Sequence, residues 1–321
     1  MRLGLLSTAH INDEILAGAA ETAKVEIAAV GSRELSRAEA YAREKGIPRA
    51  HGSYEALLED PDVDAVYVSL PNSLHHEWTL HALGAGKHVL CEKPYTRRAH
   101  EVEEAWDAAD AAGLVLMEAF MYRHHSQTRR VEELVQGGAV GRVRAVKATF
   151  TFPLDDLGNV RALPALDGGA LMDVGCYCVS GARLIAGEPL HVRGEQVVGT
   201  TGVDMAFHGT MRHDGDVVSQ FEASFVAPER QRLEVVGEEA VLVVESPFRV
   251  DWPGDVQIVR DGDVEVLGMP RGNSYTLELE NMADAVAGDA PPLLGRQDAA
   301  GQARAIEALY RSAADGVRVD V

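Results

Sequence analysis

The stretch His88-Val89-Leu90-Cys91-Glu92-Lys93-Pro94 decides how this chain is read. Its apolar run, Val89-Leu90-Cys91, is short and sharply bounded, as in a buried strand. The strand delivers two opposite charges, Glu92 and Lys93, directly into a proline. A residue before proline is biased to extended backbone, so the lysine is held at a strand end rather than on a mobile loop. In open α/β sheets, strand C-termini are where ligands bind. Taken alone, a Glu-Lys-Pro is more simply a surface ion pair closing a strand; the sequence around it has to choose.

Upstream, strand and helix patterns alternate. Leu3 to Leu6 reads as a buried strand, Ser7-Thr8-Ala9 as a tight turn, and Ile11, Ile15, Leu16 and Ala19 recur at helical spacing. Strand, small-residue turn and helix aim backbone N–H groups at a pyrophosphate. Gly4, Ser7, Thr8, Ala9, His10 and Ile11 are therefore expected cofactor contacts, although Gly4-x-x-Ser7-x-Ala9 departs from G-x-G-x-x-G. A second strand, Val25 to Val30, ends in Gly31-Ser32-Arg33 with no acid at positions 28 to 32. An acid there would hold a ribose 2′-OH, whereas Ser and Arg accommodate a 2′-phosphate. Ser32 and Arg33, with Arg37 beyond them, thus point to NADP, with NAD the alternative. The bland reading of Ser32 is a helix N-cap, and of Arg33 a solvated charge.

A helix from Leu35 to about Lys45, a short one from Tyr54 to Leu58 and a strand from Val63 to Ser69 follow. Leu70, Pro71 and Asn72 at that strand's end are expected on the cofactor side, with His75 lining the cleft and His76 facing outward. Glu92 is expected as a structural or cofactor-side contact and Lys93 as a cofactor contact. Thr96 is expected to cap a long helix through Ala112, and Leu114 to Met117 is a further strand. This alternation predicts a doubly wound parallel sheet. Residues 118–125, rich in aromatic and basic side chains, read as a hinge that suits a ligand wall, with Phe120 and Arg123 as candidate substrate contacts, although Phe120 and Met121 could equally be core.

From about Val143 the period changes to two, and further strands are expected near 190–199, 203–213, 216–227, 232–237 and 240–246. These run together as a mostly antiparallel sheet. One helix interrupts them, from Gly169 to about Ile185; two more, Tyr275 to Val286 and Ala299 to Ala314, precede a last strand at Val317 to Val321. The fold class is α/β: a dinucleotide-binding domain over residues 1–120, then an α+β domain over 121–321 with an open, mostly antiparallel sheet. The C-terminal helices are able to pack back on the first domain. Residues 153–166 form a loop with little pattern.

On the interrupting helix Asp173 and Tyr177 lie four residues apart and share a face. Their neighbours are small or apolar, which predicts a buried polar pair, with Lys93 completing a three-residue network. Tyr and Lys ordinarily titrate near about 10 and 10.4. A nearby cation lowers the tyrosine, and Asp173 favours the charged lysine. Such a set can take a proton from a hydroxyl while hydride leaves its carbon.

The formal net charge is −20, spread along the chain, which opposes binding to nucleic acid or anionic membranes. With 46% hydrophobic residues and no run of about 18 apolar ones, no membrane span is expected. Cys91, Cys176 and Cys178 suit neither a disulfide framework nor a zinc site, and no metal is expected. A strand pattern beginning at Arg2 leaves no room for a signal peptide, which with the cysteines points to the cytoplasm.

The Ser7-Thr8-Ala9 turn, Glu92-Lys93-Pro94, Ala119 to Arg123, Gly168 to Tyr177, Tyr275 to Ala287 and Glu307 to Ser312 together resemble the Gfo/Idh/MocA family. The resemblance spans essentially the whole chain. It implies a Rossmann domain and a C-terminal domain whose open sheet supports a homodimer or homotetramer. It also implies hydride transfer between NAD(P) and a sugar or polyol hydroxyl. By resemblance Lys93 is the catalytic lysine, with Asp173 and Tyr177 on the opposite wall. Where the inositol-dehydrogenase branch usually has His, this chain has Tyr177, as in the branch of glucose–fructose oxidoreductase, dimeric dihydrodiol dehydrogenase and NADP-linked D-xylose dehydrogenase. The expectation is an NADP-dependent dehydrogenase acting on aldose C1 of the D-xylose or D-glucose class. Lys93, Tyr177 and Asp173 would be catalytic, and Phe120, Arg123, Arg161, Asp173 and Tyr177 would contact substrate. Dihydrodiol oxidation and oxo-sugar reduction are the alternatives, and a non-catalytic NADP-binding sensor is the alternative of another class.

Overall fold

The computed structural model describes residues 1–249, 255–269 and 271–321. In chain order the N-terminal elements are β1 (Arg2–Leu5), α1 (Asn12–Ala20), β2 (Glu26–Gly31), α2 (Leu35–Lys45), β3 (Arg49–His51) and α3 (Tyr54–Leu58). They continue with β4 (Ala65–Val68), α4 (His75–Gly84), β5 (His88–Glu92), α5 (Ala99–Ala112), β6 (Leu116–Ala119) and α6 (Met121–His124). Then come α7 (Ser126–Gln136), β7 (Val143–Thr151), α8 (Cys176–Ala186), β8 (Pro189–Val198), β9 (Asp204–His213), β10 (Val218–Ser224) and β11 (Arg230–Gly237). The chain closes with β12 (Val241–Val244), β13 (Val256–Arg260), β14 (Asp263–Leu267), α9 (Ser274–Ala287), α10 (Arg296–Asp315) and β15 (Val319–Asp320).

Two compact units result: residues 1–124 with 273–300, and residues 125–272 with 301–321. In the first, six strands run parallel in the order β3-β2-β1-β4-β5-β6. Leu3, Leu5, Val66, Tyr67, Val89, Leu90 and Cys91 are wholly buried. Burial on both faces is why these strands read as continuous apolar runs rather than alternating ones. Helix ends follow local chemistry: Ser53 caps α3 by accepting from Ala56 N–H at 3.1 Å, and Gly46 and Gly113 end α2 and α5 in the left-handed region. Thr96 does not cap α5, which begins after Arg98; its hydroxyl accepts from Arg98 N–H at 3.1 Å and donates to Glu101.

The segment 273–300 returns α9 to this unit, onto α1. A Cβ at Gly18 would lie 2.9 Å from Thr276 N, so only glycine lets the two backbones approach this closely. Thr276 Oγ1 donates to Gly18 O at 3.0 Å, and Lys24 pairs with Asp284 at 2.7 Å.

The second unit is built on nine strands in the order β14-β13-β12-β11-β7-β10-β9-β8-β15. All neighbours are antiparallel except β7 and β10. Burial alternates along β8 and β11, the period-two signature of a sheet with one covered face. Helix α8 covers β7, β10 and β11, where a Cβ at Gly175 would lie 3.1 Å from Ala223 Cβ. The hairpin β13–β14 was outside the sequence expectation. Its turn, Asp261-Gly262, has positive φ at both residues (52° and 93°), the requirement of a tight hairpin that Asp-Gly meets at little cost. Helix α7 was likewise unexpected; His125 caps it, accepting from Gln127 N–H at 3.0 Å. Residues 153–166 contain two short 3₁₀ turns, Val160–Ala162 and Pro164–Leu166.

Candidate functional site

In the first unit the carboxyl ends of β1, β2, β4 and β5 carry the expected cofactor residues. Gly4 sits under α3, where a Cβ would meet Leu57 and Val63 at 3.0 Å, so its smallness serves helix–sheet packing. Ser7 is buried. Its hydroxyl bonds Ser69 O at 3.0 Å and Ser69 Oγ at 2.8 Å and accepts from Ala9 N–H at 3.1 Å. The turn after β1 is thereby tied to the end of β4. Asn12, which sequence reasoning missed, is wholly buried and donates through Nδ2 to Ser7 O at 2.8 Å. No side chain caps α1 at Ile11, and His10 is exposed.

At the end of β2, Ser32 is buried and donates its N–H to His51 O at 3.0 Å; it does not cap α2, whose N-cap is Glu34. Arg33 and Arg37 are exposed, and Arg37 Nε donates to Thr8 Oγ1 at 2.8 Å. Burial raises the Tyr54 hydroxyl's pKa, and the fields of Arg33 and Arg37 oppose that. Two guanidinium groups, Thr8 and Ser32 around a strand end without a carboxylate form a donor set suited to a phosphate dianion.

His75 does not line a cleft. It is 1% exposed, with Nδ1 on Pro94 O at 2.9 Å and Nε2 on Leu70 O at 2.8 Å. Both ring nitrogens are thus occupied in joining the Leu70-Pro71-Asn72 turn, where Pro71 precedes a 3₁₀ turn begun by Asn72, to the segment after β5. Burial pushes its pKa down, and a neutral ring donates to only one of the two carbonyls. His76 is also less outward than expected, bonding Tyr95 Oη at 3.0 Å and Glu104 at 3.3 Å.

Lys93 follows the end of β5, half-buried, and its peptide bond to Pro94 is cis. Glu92 is held on two sides: Tyr67 Oη donates to Oε1, and Lys93 N–H donates to Oε2 at 3.2 Å. Phe120 and Arg123 are not open donors or walls. Phe120, between β6 and α6, is wholly buried and edge-on to Tyr122; it belongs to the core, the second of the two readings open for it. Arg123 is largely buried and bonded to Asp298 Oδ1 at 3.3 Å.

In the second unit the segment bearing Asp173 is not regular α-helix. Leu171–Gly175 is a π turn leading into α8, a distortion frequent at functional sites. Asp204, missed by sequence reasoning, anchors it by accepting from Leu171 N–H at 2.7 Å and from Tyr310 Oη at 2.9 Å. Asp173 is only half-buried, and Arg161 Nε donates to its Oδ2 at 2.8 Å. Arg161 therefore steadies Asp173 rather than standing apart from it. Tyr177 is buried, its ring 5.6 Å from those of both Phe150 and Phe248. No cluster of metal-ligating side chains and no membrane-spanning helix occurs among the described residues.

With this geometry in hand, the relatives agree on one assignment. Residues 4–120 match the oxidoreductase family with an NAD-binding Rossmann fold, and residues 128–243 match the GFO/IDH/MocA C-terminal domain. The chain belongs to the Gfo/Idh/MocA oxidoreductase family. It is 40% identical over 330 residues to D-xylose 1-dehydrogenase (NADP(+)) 2 of Haloferax volcanii, covering 100% of both chains. Its fold matches the aldose-aldose oxidoreductase of Caulobacter crescentus, solved with glycerol, at a TM-score of 0.93 and 26% identity, covering 100% of this chain and 99% of the other. It also matches KijD10, a 3-ketoreductase of Actinomadura kijaniata solved with NADP and TDP-benzene, at a TM-score of 0.91 and 30% identity, with 97% of each chain covered.

Proposed function

We propose that this protein is an NADP-dependent sugar dehydrogenase that oxidises an aldose at C1, with D-xylose or D-glucose class substrates first. The observation that carries this reading is the full-length, 40% identical match to an NADP-linked D-xylose dehydrogenase. The end of β2 agrees with it. Ser32, Arg33, Arg37 and Thr8 fit a 2′-phosphate, and the strand end lacks the acid that a 2′-hydroxyl would favour. The nicotinamide, when bound, supplies the hydride acceptor. The chain's own groups manage the proton. In this reading Tyr177 takes the substrate hydroxyl's proton as general base, Lys93 orients the nicotinamide and takes part in proton transfer, and Asp173, held by Arg161, is the third catalytic group.

The reading also includes a cytoplasmic enzyme that assembles as a homodimer or homotetramer through the second sheet, which light scattering after size exclusion tests. Purified protein with NADP⁺ and a panel of aldoses and trans-dihydrodiols should show growth of the reduced-nicotinamide absorbance with aldoses. No change with any substrate refutes the dehydrogenase reading. Lys93→Met should abolish turnover; full activity in that variant removes the mechanism. A second reading, reduction of an oxo-sugar by the same groups in reverse, is favoured by the likeness to a 3-ketoreductase and is tested by NADPH oxidation with oxo-sugar nucleotides. Tight NADP⁺ binding with no turnover in either direction would instead mark a sensor.

A further inference from the structure

Behind the Glu92-Lys93 segment, the first unit brings together a buried carboxyl group, Glu278, a buried phenol, Tyr67, and the half-buried carboxyl group of Glu92. Glu278, on α9, is 1% exposed, and its Oε1 has no hydrogen-bond partner. Tyr67, on β4, is wholly buried and donates to Glu92 Oε1. Glu92 Oε2 accepts from Lys93 N–H at 3.2 Å. Both Glu92 oxygens therefore act as acceptors, as an ionised carboxylate requires. Glu278 has the opposite situation. An ionised carboxylate with an unpartnered oxygen in the interior is far more costly than a neutral acid.

Among the described residues, the charged group whose field acts on Glu278 is another carboxylate, Glu92. Glu92 faces it from the end of β5, and Tyr67 and Tyr275 share the same buried region. On α6, which packs against α9, Arg123 is held by Asp298, and His124 is buried. On α1, Glu14 is half-buried and Asp13 pairs with Lys45 at the surface. Farther along α9, Glu280 accepts from Thr22 and Asp284 pairs with Lys24.

We infer that Glu278 carries a proton in the folded protein and acts as a positioning residue, holding the Glu278–Tyr67–Glu92 cluster at one negative charge that resides on Glu92. With Glu278 neutral, Tyr67 has a single anionic acceptor, and Glu92 stays fixed between the phenol and the backbone of Lys93. A second charge would repel the Glu92 carboxylate and loosen its hold on Tyr67 and the Lys93 backbone. Burial pushes the Glu278 carboxyl well up, and the nearby Glu92 charge pushes it further, in agreement with that geometry. The positioning role rests on the hydride-transfer reading above; the buried proton does not.

The sign of the linkage follows. A carboxyl whose folded pKa lies above its unfolded value of about 4.3 contributes stability that is full below that pH and is lost as pH rises toward the folded value. Glu278→Gln keeps the shape and the neutral state at every pH. The test compares wild type and E278Q from about pH 5 to 10 by thermal unfolding and by kcat with the aldose that turns over. Expected are a Tm gap in favour of E278Q that widens as pH rises and an alkaline limb of kcat displaced to higher pH in E278Q. Infrared spectra at neutral pH should contain a protonated-carboxyl C=O band that E278Q lacks and Glu92→Gln retains. A Tm gap that does not vary with pH, or the absence of that band, overturns the buried proton. A widening gap with coincident alkaline limbs overturns the positioning role. If no substrate turns over, the dehydrogenase reading fails while unfolding and infrared still judge the proton.

Discussion

Replacing Arg37 with Ala should weaken NADP⁺ binding and leave NAD⁺ binding nearly unchanged. The guanidinium is exposed but not loose, because Nε is bonded to Thr8 Oγ1 at 2.8 Å, on the turn after β1. A hydrogen bond between charged groups contributes about 1.5–3 kcal/mol. Solvent screening at an exposed site brings the expected loss to about 1–1.5 kcal/mol, or roughly 5- to 15-fold in Kd. Arg33, at the same strand end, should cost a similar amount, and Arg33→Ala with Arg37→Ala roughly 30- to 200-fold if the two act independently. Titration calorimetry with each nucleotide at low and high salt is the assay. The wild-type preference for NADP⁺ should shrink as salt rises, since the contacts lie within reach of bulk ions. Stability should stay within about 0.5 kcal/mol, because neither side chain is buried. Equal weakening of both nucleotides, or none of either, would refute the assignment of this strand end to a 2′-phosphate.

Three further outcomes follow from buried contacts. Asp204→Asn should lower stability by about 1–3 kcal/mol, seen as a reduced Tm, because the bonds from Leu171 N–H and Tyr310 Oη lose an anionic acceptor. Gly301→Ala should cost about 1–2 kcal/mol in denaturant unfolding. The new methyl would press on the Arg183 guanidinium and lie 2.6 Å from Glu188 Oε2, disrupting a bidentate pair whose arginine side chain is buried. For Asp60, burial pushes the carboxyl up, but Asp62 N–H, His51 and Arg49 outweigh it and hold it below the usual range. Its contribution is therefore present above about pH 4 and lost as pH falls through the folded pKa. Asp60→Asn should be less stable than wild type near neutrality, and the two Tm curves should converge in acid.

Much of the candidate machinery is local in the chain, and locality made it legible. Val89-Leu90-Cys91 and Val66-Tyr67-Val68 are strands because a run buried on both faces needs apolar residues without interruption. The residue types at their ends, Ser32-Arg33 and Glu92-Lys93-Pro94, stand where such sheets present their strand ends. The Asp261-Gly262 hairpin is equally readable from turn chemistry. The expectations that failed concerned direction rather than position. His75, expected on the cofactor cleft, turns inward, and Phe120, for which wall and core were both open, takes the core position. For the histidine, two backbone carbonyls 19 and 5 residues away supply its partners.

Composition and periodicity by themselves determined the class of each half. A pattern of buried runs separated by helices dictates a parallel sheet, and period two dictates a sheet with one covered face; both follow from the geometry of a single strand. Only tertiary structure decided which polar groups meet. Glu278 and Glu92 lie 186 positions apart in the chain, Asp204 and Leu171 33. No local pattern encodes such pairs, because their partners are chosen by how helices and strands distant in sequence pack. Burial then fixes their charge: the same glutamate side chain is an anion at 92, where two donors reach it, and a proton carrier at 278, where Oε1 finds none.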